Sequence, residues 1–371
     1  MNKQVLTGNG LTVQKNLPDQ RKSSPFSLRN LRYLLSLLPL LLLFLGGQTA
    51  SVGATQPTVY YGVHVAGGVQ DIATVATFER NAHKAASIVM WYQGWGLQDG
   101  TQNFEPTWMN AVRTHGSIPM VTWEPWLYVQ GTNQANFSLR SIIDGSHDAY
   151  IVQWAKASKA WGHPYFLRFA HEMNGFWYPW SESANGNKAG QYVQAWRHVH
   201  DIFTAQGAKN VTWVWCPNVA FPGNIPMEEL YPGASYVDWV GMDGYNWAYV
   251  GARHQPKTFS QLFQKTYSIF LQLAPNKPMM VAETACTNMQ VNEAGWITDA
   301  FTVQLPKYFP QIKAVVWFNQ NKETDWRIES SATTRATFAA AIGSSRYASN
   351  QYANLNISPI PTPLQAAAAK R

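Results

Sequence analysis

The stretch Tyr165–Trp180, YFLRFAHEMNGFWYPW, decides how the rest of the chain is read. Tyr165 to Ala170 are apolar with one basic interruption, Arg168, as in a strand buried on both faces. The run then delivers His171 and Glu172, followed by Asn174, Gly175 and the aromatics Phe176, Trp177, Tyr178 and Trp180. A carboxyl group at the end of a buried strand, walled by such rings, loses solvation. Its pKa rises, and it holds a proton near neutral pH. The rings also offer flat faces to a sugar. The alternative is a salt-bridged strand-end glutamate beside an aromatic minicore. A zinc-protease motif is excluded, because the position that needs the second histidine is Gly175.

Working outward, short apolar runs alternate with longer amphipathic stretches. The strand candidates are Val59–Val65, Ala86–Gln93, Ile118–Pro125, Tyr165–Glu172, Val211–Asn218, Val237–Asn246, Pro278–Ala285 and Ala314–Asn321. Helical periodicity lies between them, for example over Tyr150–Trp161, Tyr192–Ala205 and Phe259–Leu273. This order predicts a single (β/α)8 TIM barrel over residues 55–343. A doubly wound open sheet is the alternative, but Gly67-Gly68 after the first run is too little for its phosphate-binding loop. Nearly every run ends in polar or aromatic residues: His64, Gln93, Glu124, Glu172, Asn218, Asp243 with Tyr245, Glu283, and Trp317 with Asn319. Barrel enzymes gather their active sites at the C-terminal strand ends, so these residues are expected at one mouth.

Composition narrows the function. Of 371 residues, 13% are charged, 14% are aromatic and 17 are tryptophan, a balance that suits carbohydrate surfaces. Most of the formal charge of +7 belongs to the first 54 residues and to Lys370 and Arg371, so no basic stripe remains for nucleic acid. Those first residues read as an export signal. A basic leader precedes the apolar run Leu34–Leu45, and small residues follow, placing the cut after Ala54. An uncleaved membrane anchor is the alternative; either way the folded part is expected outside the cytoplasm, as a monomer. Cys216 and Cys286 fall on runs two apart, beyond bridging distance, and are expected as free buried thiols. Residues 344–371 are polar, Pro-rich and aperiodic, and about the last fifteen of them are expected as a disordered tail. No metal or organic cofactor is expected.

Glycoside hydrolysis with retention needs two carboxyl groups about 5 to 5.5 Å apart. Glu172 ends the fourth run and Glu283 the seventh, facing each other across a barrel mouth. Aromatic surroundings favour a proton on Glu172, while hydrogen bonds from Arg168 and Tyr245 keep Glu283 ionised. His64 and Glu124 are candidate contacts to sugar hydroxyls, though a satisfied histidine and a salt bridge to a loop arginine fit equally. Trp91, Trp95, Trp123 and Trp126 are candidates for the groove, with two of them available to the core. Asn218 and Asp243 are weaker candidates.

RFAHEMNGFWYPW resembles the acid/base region of glycoside hydrolase family 26, retaining glycosidases with (β/α)8 barrels. In that family a histidine immediately precedes the acid/base glutamate, as His171 does here. Similar motifs follow in order: VDWVGMDGYNW around Tyr245 and Trp247, MVAETAC around Glu283, VVWFN around Trp317, and DWRIESS from Asp325. The resemblance spans roughly Val59 to Ile342. It implies Glu172 as acid/base, Glu283 as nucleophile, Tyr245 as the nucleophile's partner and Trp317 as the platform under the reacting sugar. His171 and Arg168 would support catalysis, and Trp177 and Trp247 would contact substrate. The implied activity is endo-acting hydrolysis of β-1,4-mannan, with mixed-linkage β-1,3-1,4-glucan and β-1,3-xylan as other substrates of the family. A barrel that binds carbohydrate without cleaving it is the alternative of another class; two facing carboxylates argue against it.

Overall fold

The computed structural model describes residues 57–368 except Asp71, Asp99, Ala252 and Arg253. The expected export segment, with its cut after Ala54, lies outside the described residues. Among them, no helix is long and apolar enough to cross a membrane.

Each apolar run forms a parallel strand: β1 (Val59–Val65), β2 (Ile88–Leu97), β3 (Ile118–Leu127), β4 (Tyr165–Phe169), β5 (Val211–Trp215), β6 (Trp239–Asp243), β7 (Met279–Thr284) and β8 (Ile312–Asn319). Neighbours in sequence are neighbours in space, and β8 returns to β1, which also pairs with β2. The sheet is therefore a closed eight-stranded parallel barrel with helices around it. Helices occupy most crossovers, including Asp148–Trp161, Gln191–Gln206 and Phe259–Leu273. The last begins at a capping box, with Thr258 accepting from Gln261 N and the Gln261 side chain returning to the Thr258 backbone. The crossover after β5 holds only the short helix Met227–Leu230.

The two-residue period of a strand sorts the side chains. One parity faces the lumen: Tyr60 on β1, Ile88 and Met90 on β2, Met120 on β3, Phe166 on β4, Val214 on β5, Trp239 on β6, Met280 and Ala282 on β7, and Ala314 and Val316 on β8. The other parity, with Trp123, Phe169, Trp215 and Trp317, packs under the helices. Gly62 belongs to the lumen, where a Cβ would meet Ile88 Cβ and Val316 Cγ2 at 2.9 Å.

The described C-terminal residues, 344–368, are ordered, contrary to the expectation of a disordered tail. Tyr347 and Ala348 add a short parallel strand beside β1. Tyr352, Leu355, Ile360 and Ala366 are buried against the lumen's lower residues. Trp239 Nε1 donates to Ile360 O at 2.8 Å, Tyr60 Oη to Pro361 O at 2.9 Å, and Ile360 N to Thr212 Oγ1 at 2.8 Å. The segment closes the barrel floor because its few apolar side chains find an open apolar end. Gly116 makes room for it: Tyr352 N donates to Gly116 O at 2.7 Å, and a Cβ there would lie 2.1 Å from Asn350 O. Cys216 and Cys286 are free and buried.

Candidate active site

At the C-terminal end of the strands a cavity of about 1050 Å³ opens, and Glu172 and Glu283 both line it. Glu172 stands just beyond β4, where the backbone leaves the sheet. Its φ is 52° and that of Ala170 is 45°, left-handed values that a non-glycine residue keeps only when its surroundings hold it. Three ties do so. Glu172 N donates to Cys216 O at 2.7 Å, Trp180 Nε1 donates to His171 O at 2.6 Å, and Asn174 exchanges hydrogen bonds with the Asn218 backbone at 2.9 Å each way. The carboxylate accepts from Asn218 Nδ2 and Trp177 Nε1, both at 2.7 Å. Burial outweighs these bonds and, with the nearby charge of Glu283, raises the pKa of Glu172 to about 7.

Glu283 reaches the lumen through an irregularity. Ala282 already faces inward, so strict alternation would send Glu283 out. The register slips between Met242 and Asp243 on one side of β7 and between Val281 and Thr284 on the other. This bulge turns Glu283 to the mouth. It pairs with Arg168 and accepts from the Tyr245 hydroxyl and from Tyr92. Burial alone would raise its pKa; the Arg168 charge and these bonds win and hold it at about 2. Arg168 is itself fixed by Thr122 Oγ1, at 2.9 Å from Nε and 2.7 Å from Nη2, and by Asp243 at 2.6 Å. Asp243 and His171 bring potential ligand atoms within 4.8 Å of Glu283. Arg168 already supplies positive charge there, which leaves the donor set poorly suited to a cation.

The remaining candidates divide. His64, Glu124, Trp126, Trp177 and Trp247 line the cavity, as does Trp91. Both ring nitrogens of His64 face acceptor oxygens, Nδ1 at 3.2 Å from Met90 O and Nε2 at 3.1 Å from Gln320 Oε1. His171 is buried among Tyr92, Tyr178 and Trp180, with its pKa lowered well below 6.5 by burial and by Arg168. Trp317 and Trp123, expected against the sugar, do not reach the cavity, and Trp95 takes the core place open to two of its group. Trp317 is 1% exposed, packs on Phe301 and Phe338 outside the barrel, and donates to Trp326 O at 3.1 Å. Trp123 and Trp95 lie in an outer cluster with Tyr150 and Phe169. All three stand on the parity that faces the helices. Trp317 thus anchors a loop whose Trp326 does line the cavity, edge-on to Trp247 at 4.8 Å and tilted against Tyr245 at 5.1 Å.

Sequence reasoning missed Tyr92, Phe318 and Trp326, and it gave little weight to Asn218 and Asp243. Phe318 stacks on His64 at 4.9 Å and stands edge-on to Tyr245 at 5.7 Å. Its signal was the parity of β8, which places Phe318 rather than Trp317 in line with Ala314 and Val316.

A (β/α)8 barrel whose mouth holds one protonated and one ionised glutamate amid aromatics has the constitution of a glycosidase. The model of Glycosyl hydrolase family 26 matches residues 49–320, and the chain belongs to that family. Endoglucanase H of Acetivibrio thermocellus is 41% identical over 238 residues, 63% of this chain and 25% of that protein. Mannan endo-1,4-β-mannosidase of Bacillus subtilis is 28% identical over 135 residues, 31% of this chain and 36% of that one. This chain thus matches about a quarter to a third of the length of these relatives. Among solved structures, the catalytic domain of a Bacillus sp. JAMB-750 endo-β-1,4-mannanase superposes with a TM-score of 0.60 at 19% identity, covering 81% of this chain and 91% of that one.

Proposed function

We propose that this protein is an exported, retaining endo-β-glycanase acting by double displacement, with a neutral polysaccharide as its partner. One observation carries the reading: two glutamates of one cavity sit in opposite environments, Glu172 with a pKa of about 7 and Glu283 of about 2. The Glu283 carboxylate attacks the anomeric carbon while Glu172 gives its proton to the departing glycosidic oxygen. A covalent glycosyl ester on Glu283 forms, and the aglycone leaves. Water then attacks the same carbon, Glu172 takes the water's proton, and Glu283 is released. The acid is needed protonated, so turnover falls above about pH 7 as Glu172 ionises. A cavity of about 1050 Å³ exceeds what one hexose fills, which favours cleavage within a chain. The basic, apolar leader of residues 1–54 favours export.

For the substrate, the greater similarity to Endoglucanase H, 41% over 238 residues, favours a 1,4-linked β-glucan, mixed-linkage chains included. The relative named for mannan, 28% identical over 135 residues, supports β-1,4-mannan as the second reading. The test is a screen of purified protein on barley-type β-glucan, mannan, galactomannan and β-1,3-xylan, following viscosity and reducing ends together. A steep viscosity fall with few new ends on β-glucan is expected. The same behaviour on mannan alone selects the second reading, and no hydrolysis of any of the four sinks the proposal.

A further inference from the structure

Double displacement uses two carboxyl groups, yet a third buried one lines the cavity. Glu124 ends the inward parity of β3 and is 5% exposed. Its Oε2 accepts one hydrogen bond, from Trp126 Nε1 at 3.2 Å. Its Oε1 lies 3.9 Å from His171 Nδ1, beyond hydrogen-bond reach, and that buried nitrogen has no hydrogen-bond partner among the described residues. No arginine of the described residues forms a salt bridge with it, which removes the loop-arginine alternative. The cations that act on it from a distance are engaged elsewhere: Arg168 with Asp243 and Glu283, and Lys322 with Glu323 at 3.1 Å.

We propose that Glu124 is a specificity-determining residue of the glycanase site, its carboxylic acid group donating a hydrogen bond to a hydroxyl oxygen of the bound sugar chain. The inference rests on the glycanase reading of the same cavity. A buried carboxyl group with one weak donor and no paired cation is costly as an anion, so it keeps its proton. Burial accordingly raises its pKa to about 8. In that form the group carries an O–H that no neighbouring protein acceptor claims, as well as an accepting oxygen. A sugar hydroxyl, itself donor and acceptor, satisfies both. Trp126 and Tyr178, which meet edge-on at 5.3 Å, supply apolar walls for the ring.

The test uses Glu172→Gln, which cannot protonate a leaving group, and an oligosaccharide from whichever polysaccharide the wild-type enzyme degrades. Binding is titrated by tryptophan fluorescence at pH 6.5 and 9. Over that interval the other groups facing Glu124 hold their charge. His171 stays neutral, Arg168 and Lys322 stay cationic, Glu283 stays ionised, and Tyr92 and Tyr178 titrate well above 10. Loss of the Glu124 proton should weaken binding about tenfold at pH 9, since affinity follows the protonated fraction. Adding Glu124→Gln, which keeps the shape and a permanent donor, should make affinity independent of pH. Adding Glu124→Ala should weaken binding about tenfold at both pH values. A pH-independent affinity in Glu172→Gln itself, or an unaltered affinity with Glu124→Ala, would overturn the inference. A wild-type protein that degrades no glycan fails earlier, and at the functional reading.

Discussion

The two ends of the barrel are made by the same strands and differ in almost everything else. At the floor, Tyr60, Met120, Phe166, Trp239 and Met280 form an apolar plug that the C-terminal segment seals. At the mouth, one or two inward positions further along, the lumen holds Arg168, Asp243, Glu283 and Glu124. Apolar burial at the floor contributes roughly 1.5 to 3 kcal/mol per large side chain. The mouth does the reverse. Glu172 and Glu124 have folded pKa values of about 7 and about 8 against an ordinary 4.5, so they favour folding most below pH 4.5, and that contribution is lost as pH rises through the folded values. The floor supplies stability that the mouth spends on poised carboxyl groups.

The sharpest way to break this contrast is at Glu172. Glu172→Ala should lower turnover on polysaccharide by roughly a thousandfold, within the range for a positioned acid. A substrate with a strongly acidic leaving group needs no proton in the first step and should lose far less. Equal losses on both would remove Glu172 from the acid's role.

Deleting residues 344–371 tests the floor. Losing Tyr352, Leu355 and Ile360 alone removes about 5 kcal/mol of burial, or roughly 10 °C or more in Tm at 2 to 4 °C per kcal/mol. Turnover at low temperature should stay within about twofold, as read by calorimetry and initial rates on one preparation. Activity lost while Tm holds would mean that the two ends are not independent.

A finer probe stays at the mouth. Tyr245→Phe removes only the hydroxyl that Glu283 accepts, worth roughly 1.5 to 3 kcal/mol for a charged partner. Turnover should fall about 10- to 100-fold with KM nearly unchanged. A raised KM at unchanged turnover would make Tyr245 a sugar contact.

The barrel was legible because parallel strands buried on both faces read as apolar runs, and because polar residues gathered at one end of each. The pair Glu172 and Glu283 was legible for the same reason. Parity was harder. On β3, Thr122 and Glu124 flank Trp123, so a mouth-facing Glu124 already obliges Trp123 to face outward; the large ring drew the assignment instead. On β8, Trp317 and Asn319 share the outer parity, and Asn319 serves the loop by holding Ile328 N at 2.8 Å and Glu329 at 2.9 Å. The bulge that aims Glu283 leaves no mark in MVAETAC. The tail looked disordered because its apolar residues, Tyr352, Leu355 and Ile360, follow no helix or strand period. Their order comes from the open floor they cover.

The central claim is that Glu283 attacks the sugar and Glu172 supplies, then recovers, the proton. Proton NMR of the anomeric signals in the first minutes of hydrolysis tests it most directly, before mutarotation mixes the products. Two successive inversions predict that the new reducing ends appear first as the β-anomer. An initial α-anomer would mean a single displacement by water and would contradict the account.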